Sequence, residues 1–376
     1  MPSWACFPAG TSARRWCRSP SCSPSRRRAR SGVAGRSPAL PSRFVGFVLS
    51  CSHTRATQGA VVTTNRTRAL YLAASLTLVL ATAACGQSAA EPAAGPDGSK
   101  DTIVLAAVPS EQSQSLQSQY DNIIKLLEQE TGKKVEFQNA TDYAAVIEGQ
   151  RAGKIDLAGY GPFSYKIAKD GGVPVEPIGT PVKTKDTPPG YYSMGWAPGN
   201  SPVSSLNDFR GKKVCFVDKA STSGYLYPTA GLMAAGIDPE KDITPVMAGG
   251  HDASLLAIKS GQCDVGFAYD TMIDQVVSKG QLQQGDVKQV WKSEQIAGSP
   301  LAMNTQTLDA DTQAKIRTAI TTKANAPALI DAGICTPEKC DLPDKVKYGY
   351  VAIDDSAYEG VRKVCEVTKS EACSQA

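Results

Sequence analysis

The first sixty residues hold ten Arg but no Lys, no Asp and no Glu. They are rich in Ser, Pro and Arg and show no apolar period, so they cannot build a core. Residues 1–60 are therefore expected to be a non-native extension, from a start placed too far upstream, in preference to a basic arm for nucleic acid. Histidine is scarce: the chain has two, and only His251 lies beyond residue 60. One His, with cysteine spacings that never read C-x2-C, argues against a zinc site. Long apolar runs are missing too. The stretch Leu70 to Leu80 is too short to span a bilayer well.

That short stretch is the centre of an export pattern. Arg66 and Arg68 precede it, and Ala81-Thr82-Ala83-Ala84 and Cys85 follow. Residues 61–84 resemble a bacterial lipoprotein signal, in which the Cys is lipidated and becomes the new N-terminus. The usual Leu three residues before the Cys is Thr82 here. The expectation is lipidation at Cys85, with a signal-anchor helix as the competing reading. Residues 85–100, rich in Ala, Gly, Pro and Ser, read as a flexible tether.

Removing these segments inverts the charge. The chain has 40 basic and 36 acidic residues. Ten Arg fall before residue 61 and Arg66 and Arg68 in the signal, so 28 basic residues remain against all 36 acidic ones, a balance of −8. A net acidic domain is a poor candidate for nucleic-acid binding. An anion bound by it must be held by local dipoles.

Six of the 11 Cys lie beyond the lipidation candidate: Cys215, Cys263, Cys335, Cys340, Cys365 and Cys373. An even number in an exported domain points to disulfides. Cys335 with Cys340 and Cys365 with Cys373 are close in sequence. Cys215 and Cys263 sit in strand-like runs of one region.

From Asp101 the pattern is strand, helix, strand, helix, strand. The strand Thr102 to Val108 is followed by a helix in which Leu116, Tyr120, Ile123, Ile124 and Leu127 keep the 3.6 period, ending near Gly132. Val135 to Phe137, a helix Tyr143 to Arg151 and the strand Ile155 to Ala158 complete the unit. A second unit starts near Ser204, with strands 214–217, 243–247 and 265–268 and helices 224–235 and 252–260. The segments Lys154-Ile155-Asp156-Leu157 and Gln262-Cys263-Asp264-Val265 are alike. The fold class read from this is α/β with two lobes, each a mainly parallel sheet flanked by helices. Lobe 1 is expected to comprise 101–192 and 300–376, and lobe 2 193–299.

In open α/β sheets, ligands sit beyond the carboxyl ends of strands. The residues there are Tyr160, the turn Ser221-Thr222-Ser223-Gly224, Gly249-Gly250-His251 and Tyr269-Asp270. The hydroxyl turn lies between an apolar strand and a helix, where unpaired N–H groups and the helix dipole attract an anion. An ordinary N-cap is the competing reading. Ser223, His251 and Asp270 also invite a hydrolase triad, but the turn lacks the G-x-S-x-G elbow.

Several motifs then occur in order: Thr141-Asp142-Tyr143-Ala144-Ala145-Val146-Ile147-Glu148-Gly149, Ile155 to Gly161, Pro189-Gly190-Tyr191-Tyr192-Ser193, Ser221 to Pro228, and Gly250-His251-Asp252-Ala253. Over roughly residues 102–305 the chain resembles the phosphate/phosphite/phosphonate substrate-binding proteins of ABC importers, the PhnD family. The tail beyond Thr307 matches less clearly. The resemblance implies a periplasmic-binding-protein fold of type II-like form, with a tetrahedral phosphorus group clamped between the lobes. It implies that Tyr143 and Tyr191 donate phenol hydroxyls, that Ser221, Thr222 and Ser223 grip the oxyanion, and that His251 adds an imidazole donor. Tyr160 is a weaker candidate.

One departure concerns specificity. Ser299 stands where a binder of aminoalkylphosphonates would carry Asp, and Asp270 is displaced by one residue from a second acidic position. Asp270 serves an ammonium, or it accepts a hydrogen from the ligand, which sulfate lacks. The resemblance further implies a permease and its ATPase as partners and no cofactor. Membrane contact is through the lipid alone, at the outer face of the cytoplasmic membrane. A sensor lipoprotein without a transporter is the alternative.

Overall fold

The computed structural model describes residues 100–374. The expected extension, the signal and Cys85 lie outside these residues, as does all of the tether but Lys100.

The first strands and helices are β1 (Thr102–Ala107), α1 (Ser113–Thr131), β2 (Lys134–Gln138), α2 (Tyr143–Arg151), β3 (Leu157–Gly159), α3 (Pro162–Asp170) and β4 (Val175–Val182). Helix α1 shows why the local pattern works. Leu116, Tyr120, Ile123 and Leu127 fall on one face and are buried, while Leu126 joins them and Ile124 lies at the edge of the core. Each fully buried apolar side chain contributes about 1.5–3 kcal/mol. Gly132, at φ 70°, ends the helix in the left-handed conformation that favours Gly.

The chain then builds β5 (Ser193–Pro198), β6 (Lys213–Phe216), α4 (Tyr227–Ala234), β7 (Thr244–Met247), α5 (His251–Lys259), β8 (Val265–Tyr269), α6 (Met272–Ser278) and β9 (Val287–Lys292). It closes with β10 (Leu301–Asn304), α7 (Ala310–Thr318), α8 (Ala326–Asp331), β11 (Gly349–Val351) and α9 (Glu359–Thr368).

Two sheets result, in the orders β11-β4-β10-β3-β1-β2 and β7-β6-β8-β5-β9. Strands β1, β2 and β3 are parallel, as are β6, β7 and β8. Both sheets are nevertheless mixed. Strand β10 runs antiparallel to β3 and β4, β11 to β4, and β5 to β8 and β9. Strands β5 and β10 each enter their sheet from the other one, which sets their direction. The two crossing segments pair at Tyr191 and Ile296, which exchange backbone hydrogen bonds of 3.1 and 2.9 Å.

The repeated Asp has one structural job in both sheets. Asp156 donates its N–H to the Val104 carbonyl (2.9 Å), and its carboxylate accepts the Val104 N–H (2.8 Å). Asp264 does the same with Lys213, at 3.0 and 2.8 Å. Each carboxylate satisfies an N–H of the first strand of its parallel β-α-β unit, β1 or β6, just before the third strand, β3 or β8. The two-lobed α/β binding-protein fold is thus a repeat at the level of hydrogen bonds.

Three disulfides are formed: Cys215–Cys263, Cys335–Cys340 and Cys365–Cys373. The first links Cys215 in β6 to Cys263 in the segment just before the adjacent parallel strand β8, and both cysteines are buried. The last ties α9 to the segment just after it.

Candidate functional site

The loops that follow β1, β3, β6, β7 and β8 all open on one side, at the carboxyl ends of the strands. They enclose a cavity of about 110 Å³. Tyr143, Tyr191, Ser221, Thr222, Ser223, His251 and Asp270 all line it. Tyr160 does not. Its ring is packed in the apolar core beside Val146, and its hydroxyl faces the Val146 carbonyl at 3.5 Å. The turn at Tyr160-Gly161 points the side chain into the lobe.

The hydroxyl turn differs from the expected helix 224–235. Thr222–Leu226 forms a π-helical turn that leads into α4. Its wide ring is closed by the Leu226 N–H on the Ser221 carbonyl at 3.0 Å. Ser221 is the N-cap, its Oγ accepting the Gly224 N–H at 3.1 Å. The cap is therefore real, but it uses one hydroxyl of three. Among the described residues, the N–H groups of Thr222 and Ser223 donate to no backbone carbonyl outside the turn. Gly224 is required by close approach: a Cβ there would collide with the side chain of Val217.

Each remaining donor has a local reason for its place. Tyr143 is the first residue of α2, set by its N-cap Asp142, whose carboxylate accepts the Ala145 N–H at 2.8 Å. The Tyr143 hydroxyl lies beside that of Ser221, and the Tyr191 hydroxyl beside those of Thr222 and Ser223. Burial pushes both phenols well above their ordinary pKa, so they are neutral donors. His251 opens α5 and is buried. Burial lowers its pKa to about 3, which keeps the imidazole neutral. Its Nδ1 accepts the Tyr269 N–H at 3.2 Å, so the proton sits on Nε2, which faces Ser221 Oγ at 3.5 Å.

That tautomer also bears on the triad. A general-base His needs Nδ1–H directed at a carboxylate. Here Nδ1 accepts a backbone N–H, and Nε2 faces Ser221, so Ser223, His251 and Asp270 do not assemble a relay.

The lobes meet around the cavity. Phe163 N–H, in the first turn of α3, donates to Thr222 Oγ1 at 2.8 Å. His251 N–H donates to the Ser110 carbonyl at 2.8 Å, and Gln112 N–H to Asp252 at 3.3 Å. Lys279 Nζ reaches the buried Glu111 at 2.8 Å.

The wall also carries groups that the sequence reading did not select. Glu111 follows β1, and Tyr120 reaches in from α1 across Gly159, whose missing Cβ makes room for the phenol. Asp344 comes from the segment after the Cys335–Cys340 disulfide. Asp344 is itself exposed to solvent, and desolvation by the surrounding cleft, then the charges of Glu111 and Asp270, shifts its pKa upward. Asp270 Oδ1 is buried with no hydrogen-bond partner among the described residues, and Oδ2 is 3.8 Å from Lys183 Nζ. The strand-end rule that found Tyr269-Asp270 would also have found Glu111. Nothing in the sequence marked Asp344.

Residues 105–358 match the family model described as the periplasmic substrate-binding protein of a phosphonate ABC transporter. The chain is 45% identical over 309 residues to the phosphate-import protein PhnD of Mycolicibacterium smegmatis, covering 80% of this chain and 96% of that protein. It is 30% identical to the phosphonates-binding periplasmic protein of Escherichia coli over 52% of this chain and 58% of the relative. Among solved structures, a binding-protein component of an ABC phosphonate transporter from Pseudomonas aeruginosa superposes with a TM-score of 0.62. Its identity is 25%, over 71% of this chain and 86% of that one. The chain therefore belongs to the phosphonate-binding family of periplasmic substrate-binding proteins of ABC transporters.

Proposed function

We propose that the chain is the extracytoplasmic binding subunit of an ABC importer and that it captures a phosphorus oxyanion, inorganic phosphate above all. One observation carries this reading. The Ser221, Thr222 and Ser223 hydroxyls, two neutral phenols and the Nε2–H of His251 converge on one enclosed cavity at the start of a helix. Such a donor set matches a tetrahedral oxyanion. The 45% identical relative, a phosphate-import protein, supports phosphate in particular. Residues 101–192 and 300–376 form one lobe of the clamp and 193–299 the other, with the paired segments at Tyr191 and Ile296 as the hinge. A cognate permease and its ATPase would receive the closed form.

Calorimetric titration of the purified protein tests the reading. Phosphate is expected to bind one ion per chain with a Kd on the order of micromolar or tighter, and a phosphate ester to show no turnover. An absence of binding by phosphate, phosphite and methylphosphonate alike would refute it.

The chain is further proposed to be anchored through lipid on Cys85, on the motif of residues 61–85. Intact-mass analysis of membrane-associated protein should find the lipidated Cys85 as first residue. A chain that begins at Met1 would overturn this.

A further inference from the structure

The cavity that presents donors at the hydroxyl turn also has two acceptors, Asp344 and Asp270. We propose that Asp344 is a specificity-determining residue of this cleft, and that it acts with Asp270 to select ligands by the hydrogens they carry on oxygen.

Asp344 is placed by its surroundings. Leu342, Pro343 and Val346 are buried on either side of it, and Asn122 Nδ2 holds the Asp341 carbonyl at 2.9 Å. Between these anchors Asp344 has φ 58° and ψ 15°, and Lys345 has φ 53°. Left-handed backbone is unusual for residues other than Gly, and two in succession turn the Asp344 side chain onto the cavity wall. Asp344 is exposed to the cleft, where it lines the cavity without a side-chain hydrogen bond or ion pair among the described residues. Asp270 Oδ1 is the second free acceptor and is buried. Glu111 lines the same cavity but is already occupied: Gln119 and Ser115 donate to it, at 2.5 and 2.7 Å, as does Lys279.

A carboxylate facing a bound anion is repulsive unless a hydrogen lies between them. The cavity thus presents two places that need a ligand hydrogen. Dihydrogenphosphate brings two hydrogens, the methylphosphonate and phosphite monoanions bring one on oxygen, and sulfate brings none. An ammonium group on an alkyl chain would satisfy the same acceptors, so 2-aminoethylphosphonate is the competing ligand in the test.

This inference rests on the phosphorus-oxyanion reading above. It is tested by titrating wild type, Asp344→Asn and Asp344→Gly with phosphate, methylphosphonate, 2-aminoethylphosphonate and sulfate. Asn and Gly both adopt the left-handed backbone readily, so the fold is preserved, and thermal melting checks this. Wild type is expected to prefer phosphate to methylphosphonate and both to sulfate. In Asp344→Asn an amide replaces an acceptor by a donor. Phosphate should then bind about tenfold more weakly and sulfate at least about tenfold more tightly, so the ratio narrows by about a hundredfold. Asp344→Gly should narrow it in the same direction. Unchanged ratios in folded variants, with phosphate still bound by wild type, would overturn this inference alone. Tightest binding of 2-aminoethylphosphonate by wild type would overturn it in favour of an ammonium subsite. Failure of wild type to bind any phosphorus oxyanion would overturn it together with the reading on which it rests.

Discussion

Replacing Ser223 by Ala, or Thr222 by Val, is expected to weaken phosphate binding by about one to two orders of magnitude while the protein stays folded. Both residues are buried at the cavity wall, and neither is the cap of the helix. The Ser223 carbonyl is fixed by Ser193 Oγ at 2.6 Å, which orients the turn without using the Ser223 hydroxyl. Thr222 Oγ1 accepts the Phe163 N–H, so its own hydrogen is available for a ligand oxygen. A hydrogen bond to a charged group contributes about 1.5–3 kcal/mol, and about 1.4 kcal/mol is a factor of ten. Thr222→Val should cost more than Ser223→Ala, because it also leaves Phe163 N–H unpaired between the lobes. Ser221→Ala is the contrast. It removes the cap bond to Gly224, so it should lower thermal stability by about 1 kcal/mol as well as affinity. Calorimetry beside thermal melting separates the two effects. Unchanged affinity in Ser223→Ala and Thr222→Val would show that the turn only starts a helix.

Removing the Cys215–Cys263 disulfide by the paired Ser substitutions should destabilise the fold more than removing either of the other two. In the chain-entropy account, stabilisation grows with the loop closed. Closing 48 residues gives about 4 kcal/mol by that relation, against roughly 2 kcal/mol for the five-residue separation of Cys335–Cys340 and 2.5 for the eight of Cys365–Cys373. A loss of about 4 kcal/mol corresponds to a fall in Tm on the order of 10 °C for a protein of this size. The bridge is buried between β6 and β8, so two Ser hydroxyls would also be left in an apolar setting. The three double variants compared by thermal melting test the order. Equal losses, or the largest loss at Cys335–Cys340, would show that loop closure does not govern these bridges.

The sequence was enough wherever the determining pattern was local. The 3.6-residue spacing of α1, the start of α2 after Asp142 and the strand–turn order of each lobe depend on residues within a few turns of one another. Asp156 and Asp264 disclosed the internal repeat because both stand at the same point of a β-α-β unit, where a first-strand N–H needs an acceptor. The ordered motifs from Thr141 to Ala253 disclosed the family, and the strand-end rule gathered most of the donors.

The rest depended on distance in space. Tyr160 and Tyr143 are both candidate phenols in the sequence, Tyr160 the weaker. Only packing directs one into the core beside Val146 and the other into the cleft. The tautomer of His251 is set by the backbone of Tyr269, 18 residues away, and removes the triad that residue types alone suggest. Asp344 reaches the cavity because Leu342, Pro343 and Val346 are buried around it and two left-handed residues reverse its direction. No spacing or composition encodes that reach, since it arises when the chain returns to the first sheet through β10 and β11. Local hydrogen-bonding needs and periodic burial therefore determined the elements and the family. The place of Asp344 on the cavity wall was decided by how distant segments pack.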